Sequence, residues 1–405
     1  MNVIVGQSGG PTTVINASLA GVYTAAIKAG ATKVYGMRNG ILGFLQERFV
    51  LLNDVLKTQA DVELLKRTPA CYLGSCRYKL KSASDNTAEY DKIFQILDKY
   101  SIDCFFYIGG NDSMDTVAKL SAYGKKIGSN VRFVGVPKTI DNDLMITDHT
   151  PGYGSAAKFV ATTMKELICD STIYDIPSIT IVEIMGRNAG WLTAASALAK
   201  SADCDGADMI LLPEVPFDID VFFDKISALL AKKKGLVIAV SEGIKLADGR
   251  YVCELGNSAQ QADVFGHKQL TGTAAVLANE CIQRLHIKAR AIELSTLQRC
   301  AAHCSSLTDV NESFRVGEAA VEAATAGKSG VMAVLTRLSD EPYQCGTSVV
   351  EIDGVANLEK QIPAEWIDAD GAGLLQPYLT YARPLIEGEL LPVYADGLPC
   401  HLKLK

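Results

Sequence analysis

The sequence predicts an α/β protein built on mainly parallel sheets. Short apolar runs alternate with longer segments that repeat apolar residues at helical spacing, as residues 3–5 and 104–108 do with the segments after them. Continuous apolar strands are typical of parallel sheets that helices cover on both faces. A length of 405 residues indicates two or three domains, or two lobes that share one cleft.

The elements follow one another in a regular order along the chain. Apolar runs predict strands at residues 3–5, 33–37, 104–108, 131–136, 179–184, 209–212, 236–240 and 331–335. Helical spacing predicts helices at residues 15–29, 116–126 and 155–170. Residues 246–272 and much of the tail after residue 340 show little periodicity, so both are predicted to be irregular excursions.

Charge and cysteine content exclude several classes of protein. The formal net charge of −7 gives no support for binding nucleic acid or an anionic membrane surface. No run of 18 apolar residues predicts a membrane span, and the N-terminus lacks the pattern of a secretory signal. The 11 cysteines are odd in number and form no CxxC pair, which indicates reduced thiols and a cytoplasmic protein.

Two predicted strands run into double glycines. Gly9 and Gly10 follow the first strand, and Gly109 and Gly110 follow the third, directly before Asn111, Asp112 and Ser113. Double glycines let the backbone approach an anion closely, and the polar side chains suit a phosphate or a hydrated metal ion. A plain tight turn is equally compatible with the first motif, and a helix cap at Asn111 or Asp112 with the second.

The loop after the fourth strand combines a cation with two carboxylates. Lys138 and Thr139 precede Asp141 and Asp143 within seven residues. A base for a hydroxyl proton and a positive charge for the transferred oxygens are what phosphoryl transfer to an alcohol requires. A solvated acidic turn is the alternative.

Two later strands also end in charged residues. Arg187 follows the fifth strand beside Gly186, which suits bidentate capture of a phosphate. Glu242 follows the seventh strand, where a carboxylate can bind sugar hydroxyls or remain exposed. In α/β sheets, ligands bind past the carboxyl ends of strands, so these loops are expected to form one site.

The ordered set GGNDS (109–113), PKTIDND (137–143), MGR (185–187), SEG (241–243) and LQR (297–299) resembles the phosphofructokinase family over roughly residues 1–335. The resemblance implies two Rossmann-like lobes with the active site in the cleft between them. It implies that Asp141 is the base for the C1 hydroxyl of fructose 6-phosphate. The other residues that it implies for substrate binding are Thr139, Ile140, Met185, Gly186, Arg187, Glu242, Arg290, Thr296, Gln298 and Arg299.

The resemblance also implies a donor site made of Gly9, Gly10, Arg77 and Ser113. ATP-using relatives have glycine where this chain has Asp112 and Lys138, whereas pyrophosphate-dependent relatives share the aspartate and the lysine. A carboxylate at Asp112 is expected to repel the α-phosphate of ATP, since two charges about 4 Å apart interact by roughly 4 kcal/mol at an effective dielectric of 20. Thr116 replaces a glycine beneath the adenine. Inorganic pyrophosphate is therefore the predicted donor, with Lys138 and Asp112 counted among the catalytic residues.

Three positions depart from the family pattern. Asn111 replaces an aspartate regarded as a ligand of Mg²⁺, so Asn111 and Asp143 are the predicted metal residues. Thr296 replaces a histidine, and Ser178 an arginine that a neighbouring subunit supplies in many relatives. Two alternatives stay open: an ATP-dependent phosphofructokinase, and a catalytically silent sugar-phosphate sensor.

The predicted donor lobe comprises residues 1–152 with about 298–350, and the fructose 6-phosphate lobe comprises 153–297 with about 351–405. In well-known relatives the arginine that matches Arg290 comes from a neighbouring subunit. The resemblance therefore implies a homodimer or a homotetramer.

Overall fold

The computed structural model describes residues 1–256, 272–355 and 358–404 of the chain. The strands are β1 (Asn2–Gln7), β2 (Lys33–Met37), β3 (Phe49–Leu51), β4 (Ile102–Gly109), β5 (Arg132–Pro137), β6 (Ser178–Ile184), β7 (Met209–Leu211), β8 (Gly235–Ser241), β9 (Lys288–Glu293), β10 (Val331–Asp340), β11 (Tyr343–Glu351), β12 (Tyr394–Ala395) and β13 (Leu398–Pro399). The helices are α1 (Ile15–Lys28), α2 (Gly40–Leu45), α3 (Leu52–Val55), α4 (Gln59–Lys66), α5 (Thr87–Lys99), α6 (Asn111–Lys126), α7 (Tyr153–Ser171), α8 (Trp191–Ala194), α9 (Ile219–Leu230), α10 (Thr273–Leu285), α11 (Leu307–Thr325) and α12 (Gln376–Ala382).

Two main sheets carry the fold. The larger has the order β11-β10-β5-β4-β1-β2-β3, and the smaller has the order β7-β8-β6-β9. Every pair in the smaller sheet is parallel, and in the larger sheet only β2–β3 and β10–β11 are antiparallel. The mainly parallel α/β architecture is therefore confirmed.

All the strands predicted from apolar runs are present, and so are the predicted helices. The strands that the sequence did not reveal are short or lie at sheet edges, as β3, β9 and β11 do. An edge strand has one neighbour and remains partly exposed, so β9 reads as the mixed segment KARAIE and shows no continuous apolar run.

The order of the larger sheet places the first two glycine loops side by side. β1 lies between β4 and β2 in this sheet. The chain continues from β1 to β2 and β3 on one side of β1 and then crosses to β4 on the other side. Such a reversal opens a crevice at the carboxyl ends of the strands. The amide of Ser8, just past β1, donates to the carbonyl of Ile108 in β4 at 2.9 Å, which joins the two loops.

Helices α1 and α11 pack closely against each other because both carry a glycine at the contact. A β-carbon on Gly21 would lie 2.0 Å from the carbonyl oxygen of Phe314, and one on Gly317 would lie 2.3 Å from that of Ser18. Alanine at either position would push the helices apart. Helix α1 begins after Val14, and no side chain caps it, so neither Thr12 nor Thr13 in the glycine loop serves as a cap.

The tail after residue 340 is integrated into the fold. Its first part is β11, and helix α12 buries Tyr378 and Tyr381 against the core that includes Trp191. Leu402 packs against the core of the larger sheet. The prediction of an irregular tail is thus wrong for these parts, whereas the lobe boundaries stay a prediction. Most of the predicted excursion at 246–272 lies outside the described residues.

Two further expectations concern the cysteines and the membrane. All 11 cysteines are free thiols. Within the described ranges, no helix has both the length and the apolar character that crossing a bilayer requires.

Candidate active site

Three loops at the carboxyl end of the larger sheet meet around Lys138. This side chain follows β5 and is 3% exposed. Its amide donates to the carbonyl of Gly109 at 2.9 Å. Its ammonium donates to the carbonyls of Ser8, at 3.3 Å, and of Gly10. A positive charge is therefore fixed beside the predicted donor loop.

Burial lowers the pKa of the Lys138 ammonium, because desolvation disfavours its charged form. The neighbouring carboxylates of Asp141 and Asp143 counteract this effect. An ammonium has three protons, and two of those of Lys138 point to the carbonyls of Ser8 and Gly10, so the third is available for a phosphate oxygen.

The glycines of these loops are required by geometry. Gly9 has a φ of +75°, in the left-handed region that L-residues rarely adopt. A β-carbon on Gly109 would lie 1.9 Å from Oγ of Ser113, which is buried beneath the loop. Glycine at 109 therefore lets Ser113 pack directly under the backbone that faces the crevice.

Helix α6 begins at the second double glycine with an uncapped end. Gly110 is the N-cap and provides no side-chain hydrogen bond, so the alternative that Asn111 or Asp112 caps the helix is wrong. Asp112 is exposed in the first turn. Thr116 is 2% exposed and donates its hydroxyl to the carbonyl of Asp112 at 3.0 Å. A helix N-terminus without a side-chain cap leaves amides and a positive dipole end for an anion.

The carboxylates of the third loop have raised pKa values. Burial raises the pKa of Asp141, although the charges of Lys138 and Arg187 oppose the rise. Burial, followed by repulsion from Asp141, raises the pKa of Asp143 to about 7. Thr139 Oγ1 accepts a hydrogen bond from the amide of Asp141 at 3.1 Å and so fixes the turn. A base whose pKa is raised toward neutrality is a better proton acceptor.

The smaller sheet contributes Arg187 and Glu242 to the same site. Burial, followed by repulsion from Asp141, raises the pKa of Glu242 to about 7. One oxygen of Glu242 accepts from the amide of Gly186 at 3.4 Å, and the hydroxyl of Ser241 donates to the carbonyl of Gly186 at 2.6 Å. The loops after β6 and β8 are thereby joined next to Asp141.

Gln298 and Arg299 follow β9 and take different positions. Gln298 is 1% exposed, and its Oε1 accepts from the amide of Met185 at 3.3 Å, so it positions that loop. A guanidinium nitrogen of Arg299 lies 3.4 Å from where a β-carbon on Gly10 would be. Arg299, predicted to bind the sugar phosphate, therefore lies beside the predicted donor loop.

Other predicted residues lie further out. Thr296 is exposed, and its carbonyl accepts from the thiol of Cys300 at 3.2 Å. Ile140 is buried in the core of the smaller sheet, so its side chain packs there. Arg77 is exposed on the loop whose Ser75 donates its hydroxyl to the carbonyl of Gly9 at 2.7 Å.

Arg290 is separated from this cluster within one chain. It lies on the edge strand β9, in register with Thr180 of β6, several residues before the strand ends. Its guanidinium is 3.8 Å from Asp170, and half of the side chain is exposed. The described part of the chain therefore does not bring Arg290 to Asp141.

A segment of the tail that no sequence pattern indicated also enters the site. We call residues 358–362 the strap. The carbonyl of Leu358 accepts from the side-chain amide of Asn111 at 3.1 Å, and the amide of Lys360 donates to the carbonyl of Asp143 at 2.8 Å. A carboxylate oxygen of Glu359 accepts from the side chain of Asn188 at 3.1 Å. A segment of three polar residues between Leu358 and Ile362 has no periodicity that could have indicated this position.

A buried ionic network anchors the loop that carries Asp141. His149 is 1% exposed at its side chain and lies 2.7 Å from Asp148 and 2.6 Å from Glu312. Arg337 pairs with Asp148 at 3.1 Å, and the hydroxyl of Tyr343 donates to Glu312 at 2.7 Å. Burial opposes a charged His149, but the hydrogen bonds to both carboxylates outweigh it and raise the pKa of His149 to about 9. The network ties the catalytic loop to α11 and β10.

Replacing His149 with glutamine is expected to remove a pH-dependent part of the stability. The folded-state pKa of His149 is raised above its usual value, so its contribution is complete below pH 6.5 and is lost as the pH rises through about 9. The difference in free energy of unfolding between wild type and His149→Gln should shrink by about 3 kcal/mol over that interval. Urea unfolding at pH 6 and pH 9.5 measures this. A pH-independent difference, equal to that for the exposed His401→Gln, would contradict the assignment.

The oxygen groups near Asn111 fit a magnesium ion. Oδ1 of Asn111 is buried and has no hydrogen-bond partner among the described residues. Asp143 lies on the adjoining loop, and the strap contacts both residues. Amide and carboxylate oxygens are ligands that Mg²⁺ accepts. Asn111 and Asp143 therefore have the chemistry to hold this ion.

Comparisons with known proteins agree with this geometry. The phosphofructokinase family model matches residues 2–324. The chain is 42% identical to the pyrophosphate–fructose 6-phosphate 1-phosphotransferase of Methylococcus capsulatus, over all of this chain and 96% of that protein. It is 41% identical to the protein of the same name from Xanthomonas campestris, with the same coverage. A crystal structure of pyrophosphate-dependent phosphofructokinase from Nitrosospira multiformis superposes with a TM-score of 0.90 at 38% identity, covering 100% of this chain and 96% of that one.

Full-length similarity to pyrophosphate-dependent phosphofructokinases places this mainly parallel α/β protein among the phosphoryl-transfer enzymes. The matched family model covers well over half of the chain. The chain belongs to the phosphofructokinase family.

Proposed function

We infer that this chain transfers a phosphoryl group reversibly from inorganic pyrophosphate to the C1 hydroxyl of fructose 6-phosphate, as a transferase of glycolysis. The products are fructose 1,6-bisphosphate and phosphate. The observation that carries the inference is the buried ammonium of Lys138 between the carbonyl of Gly10 and the carboxylate of Asp141. The names of the similar full-length proteins support the same donor and acceptor.

The residues divide the chemistry between them. Asp141 accepts the proton of the C1 hydroxyl while that oxygen forms a bond to the transferred phosphorus. The bond from this phosphorus to the bridging oxygen of pyrophosphate breaks, and inorganic phosphate leaves. Lys138 and the amides at the start of α6 stabilise the negative charge on the transferred oxygens. When bound, Mg²⁺ neutralises charge on the donor.

Arg187 and Glu242 are the groups suited to the acceptor sugar. Arg187 supplies a planar donor for a phosphate or a hydroxyl oxygen, and Glu242 accepts hydrogen bonds from sugar hydroxyls. Both lie near Asp141, since each affects the pKa of that carboxyl or is affected by it. The acceptor hydroxyl would thus be held next to the base.

The choice of donor depends on Asp112 and Lys138. The repulsion between Asp112 and an α-phosphate is weaker than the sequence analysis predicts. Asp112 is exposed, so solvent screens its repulsion of an α-phosphate to about 1 kcal/mol. Lys138 is buried beside the donor loop. Its charge would stabilise a small donor that has no nucleotide to provide further binding contacts. Thr116 fills the space behind the first turn of α6 and leaves less room for a purine.

A homodimer or homotetramer belongs to the same proposal. Arg290 borders a shallow pocket with Ser178, Tyr174 and Ile176, and this face exposes apolar side chains, with Ile173 65% exposed. A second subunit covering the face would bury these side chains and receive Arg290. The 11 free thiols support a reducing compartment such as the cytoplasm.

The donor is tested by assaying the purified protein with fructose 6-phosphate, Mg²⁺ and either pyrophosphate or ATP. Turnover is expected with pyrophosphate, with a kcat/KM for ATP at least about tenfold lower. Clear turnover with ATP and none with pyrophosphate would establish the ATP-dependent alternative. Absence of turnover with either donor, in protein that still binds fructose 6-phosphate, would establish the silent sensor.

A further inference from the structure

The strap is attached to both halves of the active site. On the side of the larger sheet, it meets the side chain of Asn111 through Leu358 and the main chain of Asp143 through Lys360. On the side of the smaller sheet, the indole of Trp191 donates to the carbonyl of Lys360 at 2.8 Å. The strap therefore has a fixed path between the two sheets, although it belongs to the tail of the chain.

Anchoring by Lys360 makes this path rigid. Its ammonium donates to the carbonyls of Asp148, at 2.6 Å, and of Thr147, at 3.2 Å, and lies 5.2 Å from the ring of Trp191. These contacts bind the strap to the far end of the loop that begins with Lys138. Glu359 is thus held in place because the residues on either side of it, Leu358 and Lys360, are both anchored by hydrogen bonds.

The strap sets the orientation of the Asn111 amide. Nδ2 of Asn111 donates to the carbonyl of Leu358, and the opposite orientation would bring two oxygens together. Oδ1 therefore forms the other end of the amide, where it is buried without a hydrogen-bond partner in the described part of the chain. A buried acceptor with no donor is costly unless a ligand satisfies it.

Glu359 lies between these two anchor points and brings a carboxylate to the site. Its backbone is one residue from each of two contacts, since Leu358 accepts from Asn111 and the amide of Lys360 donates to the carbonyl of Asp143. Its Oε1 accepts from Nδ2 of Asn188, the neighbour of Arg187. Asn111 contributes an amide oxygen and no charge, and Glu359 supplies a negative charge beside it.

We propose that Glu359 is a third carboxylate of the phosphoryl-transfer site and strengthens the binding of the divalent cation that accompanies the donor. The negative charge of Glu359 compensates for the charge that Asn111 lacks. The backbone of the strap carries Glu359 and also holds the side chain of Asn111 through Leu358. Glu359 repels the oxygens of pyrophosphate and attracts the cation, so its charge favours binding of the donor only when the cation is present. The proposal rests on the proposed function for the donor, but its cation-binding part does not depend on which donor is used.

The test is a Mn²⁺ titration of the full chain followed by electron paramagnetic resonance, without donor and with methylenediphosphonate, an analogue of pyrophosphate that is not hydrolysed. Glu359→Gln removes the charge but keeps an oxygen for Asn188. The dissociation constant for Mn²⁺ is expected to rise at least about threefold in both titrations. The Mg²⁺ concentration for half-maximal turnover should rise in parallel, whereas the KM for fructose 6-phosphate should stay unchanged.

Two further variants separate charge from structure. Glu359→Asp keeps the charge and should recover most of the Mn²⁺ affinity, and Glu365→Gln removes an equally exposed charge from the same tail and should change nothing. An unchanged Mn²⁺ constant in Glu359→Gln would overturn the proposal. Loss of affinity in Glu359→Ala alone would also overturn it, because the hydrogen bond to Asn188 would then be the cause. If pyrophosphate proved not to be the donor, the titration without analogue would still decide the role of Glu359.

Discussion

Replacing Asp141 with alanine is expected to lower kcat about 10²- to 10⁴-fold, because the C1 hydroxyl loses its proton acceptor. The neighbouring carboxyls of Asp143 and Glu242 have pKa values raised to about 7, but their proposed partners are the metal ion and the sugar hydroxyls, so neither is expected to replace Asp141 as the base. Binding of fructose 6-phosphate should stay near normal, since Glu242 and Arg187 remain. Steady-state kinetics with pyrophosphate and calorimetry with the sugar phosphate measure the two quantities.

The exposed Asp98→Ala, on the surface of α5, is the matched control and should have wild-type kinetics. A kcat within about tenfold of wild type in Asp141→Ala would show that another group accepts the proton. An equal loss of sugar-phosphate affinity would instead assign Asp141 a binding role. Circular dichroism verifies that both variants are folded.

Mixing two variants that are each impaired at low substrate concentration is expected to restore activity, because Arg290 is proposed to act on the site of a neighbouring subunit. Arg290→Ala should raise the KM for fructose 6-phosphate about 10- to 100-fold through loss of a charge-assisted hydrogen bond. A hybrid dimer of Arg290→Ala and Asp141→Ala then has one site with both residues intact. Hybrids purified with two different affinity tags should reach about half of the wild-type rate at low substrate concentration.

The same hybrid discriminates the alternative directly. If Arg290 served its own subunit, each site of the hybrid would lack one residue, and no activity would return. The ion pair with Asp170 gives a further comparison, since Asp170→Asn leaves Arg290 in place and should keep the KM near that of wild type. A monomer by analytical ultracentrifugation would contradict the subunit proposal itself.

Much of the site could be predicted from local sequence because its residues occupy strand ends. Apolar runs located β1, β4, β5, β6 and β8, and the residues that follow each run meet in the structure. Parallel strands bring their carboxyl ends to one edge, so position along the chain was sufficient to group Gly10, Lys138 and Asp141. The left-handed backbone at Gly9 and the contact of Gly109 with Ser113 explain why glycine is needed there.

Side-chain partners were harder to predict, because they depend on long-range contacts. Arg299 was assigned to the sugar phosphate, yet it lies beside Gly10, on the opposite sheet. His149 had no visible role, although it lies between Asp148 and Glu312, which are 1 and 163 residues away along the chain. Neither contact leaves a periodic or compositional trace.

The sequence by itself determined the class of fold and the family, and it supplied the residues proposed for the chemistry, since each of these depends on local patterns of apolar runs, glycines and charges. Only the tertiary structure decided that residues 358–362 contact Asn111, Asp143 and Trp191, and that Arg290 lies apart from Asp141 within one chain. The physical reason is that these positions are set by hydrogen bonds and packing between segments far apart in the chain, as between Asn111 and Leu358.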